Sequence, residues 1–396
     1  MIFKFWSLKF LDFVIFSEKN NMKNQVSKVK IGIIFTLDYE VHGNGSGEFE
    51  NWAYFPTSQM LNVLDAYGAK LTIMAEMGHY WAMKRYKEFF LRDISLFESQ
   101  LKNAIERGHD VQLHFHPQWI DATFKDGNWN LDFSRKTIER LCYNYDEAFF
   151  YLKKGKDDLQ NILKQVNQDY QCICFRAGFL QMQPSENMIK ALKDAGFLSD
   201  SSVSKGMKAD DNLRLLDFSS AHSRYRPWKT SNSEICNSDV NGKIYEFPIL
   251  SGSIGFMDKI KNKIIKIRKG KNINTIISGL MAVYGKGMMH APHAGSLSDK
   301  LKSILSKNWS YIDFCQRDPR DLANNIKLII SDCKKSNNYD YVPVVFIGHS
   351  KDFFFANNLS LFLEACQKIE GVEFNTYAEA VKKIITENEK EYLTIK

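Results

Sequence analysis

The sequence predicts an α/β fold with a mainly parallel sheet and helices outside it, and three observations lead there. From Val29 onward, apolar runs of strand length alternate with segments of helical period. The runs are apolar throughout, as strands covered on both faces are. Polar residues gather where those runs end: Asp38 and Glu40, His114 and His116, Arg176, and His349. In a closed α/β barrel that end is the catalytic face. One open-sheet domain is the alternative.

The elements follow in order. Ile31 to Leu37 reads as a buried strand ending in Asp38-Tyr39-Glu40, with a Gly-rich loop from Gly43 to Gly47 after it. Pro56 to Tyr67 has helical spacing, with Met60, Leu61 and Leu64 on one face and Gly68 as its stop. Leu71 to Met74 is a second strand, Ser95 to Arg107 an amphipathic helix ended by Gly108, and Val111 to His114 a third strand. Ser134 to Lys154 and Asp157 to Asn167 read as helices. Cys172 to Phe175 is a strand that delivers Arg176, with Cys172 and Cys174 alternating onto one packed layer. Ser185 to Ala195 is a helix with a Ser cap and Gly196 as its stop, followed by a short strand to Asp200. The pattern is irregular from Ser201 to Asn241. Ile244 to Leu250 and Val342 to Ile347 are strands, the second ending in Gly348-His349. Helices are expected over Asp318 to Asp332, Leu359 to Ile369 and Tyr377 to Thr386, with a short strand at Val372 to Phe374.

A chain of 396 residues, 44% hydrophobic and 25% charged, has the balance of a soluble globular protein long enough for one large barrel or two ordinary domains. A net charge of +7 is modest for this length, and no Lys/Arg block with interleaved aromatics marks a nucleic-acid surface. The seven cysteines are odd in number and contain no CxxC, which reads as a reduced, intracellular protein without a disulfide framework. Met1 to Phe16 is apolar but broken by Lys4, Lys9 and Asp12, too broken for a membrane span and without a small-residue cleavage site. Residues 1–29 are therefore taken as an extension outside the fold, with Met22 as the start, and 30–390 as the domain. An amphipathic membrane-surface segment is the alternative. Lys259 to Lys271, basic with Ile260, Ile264 and Ile267 at helical spacing, is a solvated helix face or a contact for a phosphate-bearing carrier.

The stretch Gly108-His109-Asp110-Val111-Gln112-Leu113-His114-Phe115-His116-Pro117 organises the rest. Residues i and i+2 of a strand share a face, so His114 and His116 aim at one point. Pro117 stops the strand because it has no N–H for a ladder. Two convergent imidazoles suit a metal such as zinc; ordinary polar residues at a strand end are the other reading. His109 lies on the order of 16 Å from His114 along an extended strand, too far to share an ion. His290 and His293 line the cleft, hold a second ion, or are loop residues. Trp119, Trp228 and Tyr54 offer aromatic faces to a ligand or belong to the core.

Taken in order, these strand ends resemble the polysaccharide deacetylases of the NodB-homology type, carbohydrate esterase family four, over roughly Lys30 to Ile385. Thr36-Leu37-Asp38-Tyr39-Glu40 resembles the first motif in a D-x-E form. Gly108-His109-Asp110-Val111 matches the lead-in to the second motif, which supplies two histidines and ends His-Pro. Arg176 matches the head of the third motif, and Gly196-Phe197-Leu198-Ser199-Asp200-Ser201 the stretch after it. His349 ends the last strand. The chain departs from the family at Tyr39, where many members have a metal-binding Asp, in its HxH spacing, and in Arg176-Ala177-Gly178, a divergent branch.

The resemblance implies a distorted (β/α) barrel of the polysaccharide deacetylase type, formed as a single large domain, and a hydrolase that removes an N-acetyl group from an amino sugar. It implies a divalent ion, zinc by expectation, on Glu40, His114 and His116, three ligands that leave room for water. Asp38 is then the general base, Arg176 holds it ionised and oriented, and His349 is the acid for the leaving amine. A backbone N–H near Gly178 would help polarise the carbonyl. The competing readings are a loop cap for Asp38, a surface ion pair for Arg176 and a core histidine for His349. The residue orienting His349 is not placed; Asp217 and Asp239 are the candidates. The expected substrate is an acetylated amino sugar on a nucleotide or lipid carrier, met in the cytoplasm during surface polysaccharide or lipopolysaccharide biosynthesis. A carbohydrate-binding relic of the fold and a glycosidase on a similar barrel are the alternatives.

Overall fold

The computed structural model describes residues 29–254, 308–336, 341–353 and 356–394. The expectations for Met1 to Phe16, Met22, Lys259 to Lys271, His290 and His293 lie outside the described residues. The main strands are β1 (Lys30–Tyr39), β2 (Leu71–Glu76), β3 (Asp110–Phe115), β4 (Cys174–Ala177), β5 (Ser199–Asp200), β6 (Tyr245–Glu246), β7 (Tyr341–His349) and β8 (Val372–Phe374). The main helices are α1 (Phe55–Ala66), α2 (Met77–Arg85), α3 (Lys87–Glu106), α4 (Tyr145–Leu163), α5 (Glu186–Asp194), α6 (Pro319–Ser336), α7 (Ala356–Gln367) and α8 (Tyr377–Thr394).

β1 lies between β7 and β2, and the parallel series runs on through β3, β4, β5 and β6. β8 pairs with the start of β1. The chain leaving β6 closes the sheet. Phe247 N–H donates to Asp200 O at 2.9 Å and Ile249 N–H to Val203 O at 2.9 Å. Ile249 then bridges Val345 on the free edge of β7, and Leu250 N–H donates to Val345 O at 2.8 Å. The result is a distorted (β/α) barrel, and the open-sheet alternative falls.

Strand periodicity sorts the residues. Ile33, Phe35 and Leu37 of β1 pack outward in the large core under the helices, while Ile34, Met74, Cys174, Phe247 and Val345 form a second core inside the barrel. Tyr377, Ala380 and Val381 of α8 join that second core and plug one end of it. α8 begins in a capping box, with Thr376 N–H on Glu379 and Glu379 N–H on Thr376 Oγ1. Its first N–H groups reach the strand starts, Tyr377 N–H to Thr72 Oγ1 at 2.8 Å and Ala378 N–H to Asp110 Oδ2 at 3.1 Å. Counting by twos away from this plug along β1, β2, β3, β4 and β7 leads to Asp38, Glu76, His114, Arg176 and His349 at the other end.

Three local expectations are corrected. The helix break expected between Lys154 and Asp157 is absent: α4 runs through it, and the break comes at Asn144, whose side chain accepts Glu147 N–H as a cap. Gly155 sits inside α4 because a Cβ there would come within 2.6 Å of Leu113. Cys172 and Cys174 do not share a layer, since Cys172 joins the outer core and Cys174 the inner one. The strand starts only at Cys174, and Gln112 Oε1 accepts both Ile173 N–H and Cys174 N–H at 2.8 Å in place of a ladder. Helix α2, which the sequence reading left without an element, starts where Glu76 accepts Gly78 N–H at 2.8 Å. No helix among the described residues is long and apolar enough to cross a membrane.

Candidate functional site

Register builds the site. Asp38 of β1 lies beside His349 of β7, Glu76 of β2 beside His114 of β3, and His114 beside Arg176 of β4. Glu40 follows Asp38 by two residues, its carbonyl held by Ser350 Oγ–H at 3.0 Å. All six predicted residues, Asp38, Glu40, His114, His116, Arg176 and His349, come together at this end of the barrel.

The two histidines converge, with ring centroids 4.6 Å apart. β3 stops at Phe115, but His116 keeps an extended backbone (φ −106°, ψ 120°), so the two-residue relation survives. His114 Nδ1–H donates to Arg176 O at 2.9 Å, since a carbonyl can only accept. Its buried Nε2 has no hydrogen-bond partner. That nitrogen faces Asp38 Oδ2 at 3.8 Å, Glu40 Oε2 at 3.6 Å and Glu76 Oε2 at 3.9 Å. Burial works against charge on His114, yet Asp38, Glu40 and Glu76 outweigh it and raise its pKa to about 9. Three carboxylate oxygens within 3.9 Å of one buried nitrogen make this a negatively charged pocket.

Glu76 is one of three site residues that sequence reasoning missed, with Asp313 and Lys351. Its signal was present: the apolar run of β2 ends on a carboxylate just as β1 ends on Asp38. Glu76 Oε1 accepts N–H from Gly78 at 2.8 Å, His79 at 3.4 Å and His116 at 3.2 Å, while Oε2 bonds His116 Nδ1. Glu40 divides its oxygens similarly, with Oε1 on Lys351 Nζ at 2.6 Å and Oε2 at 3.4 Å from His116 Nδ1. Burial opposes the Glu40 charge, but Lys351, His116 and His114 hold its carboxyl well below the usual range. One atom each from Glu40, Glu76, His114 and His116 lies within 4.8 Å of the others, a cluster that could hold a metal ion. A first-row ion with about 2.0–2.2 Å bonds spaces tetrahedral donors about 3.3–3.6 Å apart. The separations of 3.4 and 3.6 Å about Glu40 Oε2 fall in that range, the 3.9 Å between Glu76 Oε2 and His114 Nε2 lies just beyond it, and Glu76 Oε2 and His116 Nδ1 are in direct hydrogen-bond contact.

Beside the cluster, Asp38 Oδ1 accepts Arg176 Nη1–H at 2.7 Å. Arg176 is wholly buried and donates through Nε to Ser201 O at 2.8 Å and through Nη2 to Ser201 Oγ at 3.1 Å, so it is no surface ion pair. Burial would raise the Asp38 pKa, but Arg176, His114 and His349 lower it below the ordinary value. The other oxygen, Oδ2, stands 3.7 Å from His349 Nε2. His349 Nδ1 meets Asp313 Oδ2 at 2.8 Å. Asp313 is in turn fixed by Cys315 N–H on Oδ1 at 2.8 Å and by its bridge to Ile347. Burial opposes charge on His349, and the Asp313 hydrogen bond, Asp313 and Asp38 overcome it, raising its pKa.

Asp313 therefore takes the place sought in Asp217 and Asp239. Asp217 lies on the exposed hairpin strand Leu215–Asp217 and pairs with Lys208 at 2.8 Å. Asp239 serves an exposed turn through Asn241 N–H at 2.9 Å. Trp119 and Trp228 are buried in the core, the latter donating to Ile235 O at 3.0 Å, so neither is free to stack on a sugar. His109 caps the start of β2 by accepting Leu71 N–H at 3.1 Å. Gly178 lies against His116, where a Cβ would come within 2.8 Å of its Cα.

No family model matches this chain, and no curated protein matches it. Solved structures do. A putative polysaccharide deacetylase from Mycobacterium smegmatis is 11% identical, with 91% of this chain and 92% of that one covered, at a TM-score of 0.47. A probable polysaccharide deacetylase from Pseudomonas aeruginosa PAO1 is 11% identical, with 89% and 90% covered, at 0.43. A 4-alpha-glucanotransferase from Thermococcus litoralis is 13% identical, with 89% of this chain but 40% of that one covered, at 0.45. At such values the matches assign neither a residue nor an activity.

Proposed function

We propose that this chain is a metal-dependent hydrolase that removes the N-acetyl group of an amino sugar. The observation that carries the reading is the position of Asp38 Oδ2, 3.8 Å from the unpartnered His114 Nε2 and 3.7 Å from His349 Nε2. A carboxylate stands between a buried, unpartnered imidazole nitrogen and a His–Asp pair, with its other oxygen locked by Arg176. The N-acetylated amino sugar is the substrate that the resemblance of the motifs along the chain implies, and its nucleotide or lipid carrier and its place in cytoplasmic assembly of surface polysaccharide are part of the same proposal.

A divalent ion held by Glu40, His114 and His116 would supply Lewis acidity for the acetyl carbonyl and for a water. The rest belongs to side chains. Asp38 Oδ2 takes a proton as the water oxygen bonds to the acetyl carbon. Arg176 keeps Asp38 ionised and aimed. The His349 imidazolium, favoured by Asp313, gives its Nε2 proton to the amide nitrogen as the C–N bond breaks, leaving acetate and a free amine.

The test is acetate release from N-acetylamino sugars, free and attached to nucleotide or lipid carriers. Chelation should abolish it and added Zn²⁺ or another divalent ion restore it. Asp38→Asn should keep metal and fold and lower turnover about 10²–10⁴-fold. Release of sugar with its acetyl group intact would establish glycoside hydrolysis instead.

A further inference from the structure

We propose that Glu76 is itself a ligand, through Oε2, so that the ion sits in a set of two glutamates and two histidines. This rests on the metal reading above and goes beyond it, because it fixes what kind of ion the chain takes. The first ground is charge. Three buried carboxylates face His114, and the cations beside them are spoken for: Arg176 pairs with Asp38 at 2.7 Å and Lys351 with Glu40 at 2.6 Å. Glu76 is 1% exposed, and among the described residues no Lys or Arg pairs with it. Its partners are backbone N–H groups and imidazoles, so the cluster holds three carboxylates against the two fixed cations Arg176 and Lys351, a balance that favours a bound cation. The second ground is geometry. The cap at the start of α2 uses only Oε1, which holds three backbone N–H groups. Oε2 lies outside the cap: it meets His116 Nδ1 and stands 3.9 Å from His114 Nε2, which has no hydrogen-bond partner, so one carboxylate oxygen faces both imidazoles. Gly78 permits this placement, since a Cβ there would come within 2.7 Å of Glu76 Oε1 and 2.8 Å of Trp119.

The alternative is that Glu76 orients His116 from outside the coordination sphere, as carboxylates often do. Against it, His116 Nδ1 is the nitrogen turned toward Glu40 Oε2, and it is the same nitrogen that Glu76 Oε2 meets. An outer carboxylate belongs on the far nitrogen. Four protein donors close a tetrahedron. For water to reach the ion, it must be one that accepts five or six N/O donors, as Mn²⁺, Fe²⁺ and Co²⁺ do more readily than Zn²⁺.

Co²⁺ is the probe. Full-length protein is titrated with Co²⁺ against a competing chelator, and visible absorption and X-ray absorption report the coordination number. Wild type should bind one Co²⁺ with five or six N/O neighbours. Glu76→Gln keeps the cap acceptor but cannot ligate, and should weaken Co²⁺ by more than about 100-fold, beyond the usual cost of an outer-shell change. Four neighbours in wild type would overturn the proposal whether or not the variant folds. So would a folded Glu76→Gln that binds as wild type does while His114→Ala loses the ion, which would leave the metal reading intact. A wild type that binds no Co²⁺, Zn²⁺ or Mn²⁺ would overturn both.

Discussion

Arg176→Met isolates the interaction that holds Asp38, the proposed base. The guanidinium is wholly buried, 2.7 Å from Asp38 Oδ1, and its remaining hydrogen bonds go to Ser201. Methionine fills similar volume without charge, so the loss is chiefly electrostatic. Removing one partner of such a pair costs about 3–5 kcal/mol, because the other charge stays buried and uncompensated. Asp38 is 4% exposed and has no second Arg or Lys bonded to it among the described residues. The Arg176→Met protein should therefore lose that stability in urea unfolding, measured with chelator so that no bound ion contributes. The double variant Arg176→Met/Asp38→Asn removes both charges and should regain part of it, an interaction energy of about 1–3 kcal/mol in a double-mutant cycle. A single-variant loss under about 1 kcal/mol, or a double variant no more stable than the single, would refute the buried pair as the anchor of Asp38.

Three further outcomes follow from neighbouring contacts. Asp313→Asn should leave Co²⁺ affinity unchanged but lower kcat about 10²-fold or more in the acetate-release assay, because His349 loses the carboxylate that favours its charged form; an unchanged kcat would remove the His349–Asp313 pair from the reaction. Gly178→Ala should push His116 aside and weaken Co²⁺ binding at unchanged secondary structure by circular dichroism, and equal affinity would show that His116 tolerates the added methyl. His109, whose pKa burial lowers to about 4 from 6.5, binds its proton more tightly unfolded than folded. Its contribution, about 3 kcal/mol at most, is full above pH 6.5 and lost as pH falls toward 4, so His109→Asn should flatten the fall in urea-unfolding stability over that range, and an unchanged slope would assign the acid sensitivity elsewhere.

By itself the sequence determined the main strands of the barrel, the end at which their polar residues gather and six of the residues found there. It could do so because a strand that is buried on both faces is a local pattern of apolar side chains, and its polar end is visible without knowing its neighbours. The HxH of His114 and His116 is of this kind, since both residues lie on one short extended stretch. Three partners were decided only by tertiary structure. Glu76 reaches His116 across 40 residues, Asp313 reaches His349 across 36, and Lys351 reaches Glu40 across 311. No spacing rule links such pairs; they meet because β1 is sandwiched between β2 and β7 and because the chain after β6 bridges the far edge of β7. Barrel closure also settled which buried acid is which. Asp110 and Asp38 both occupy inward-facing strand positions, but Asp110 stands at a strand start and meets the helix that plugs the barrel. Asp38 stands at a strand end, where Arg176, His114 and His349 converge on it from the neighbouring strands.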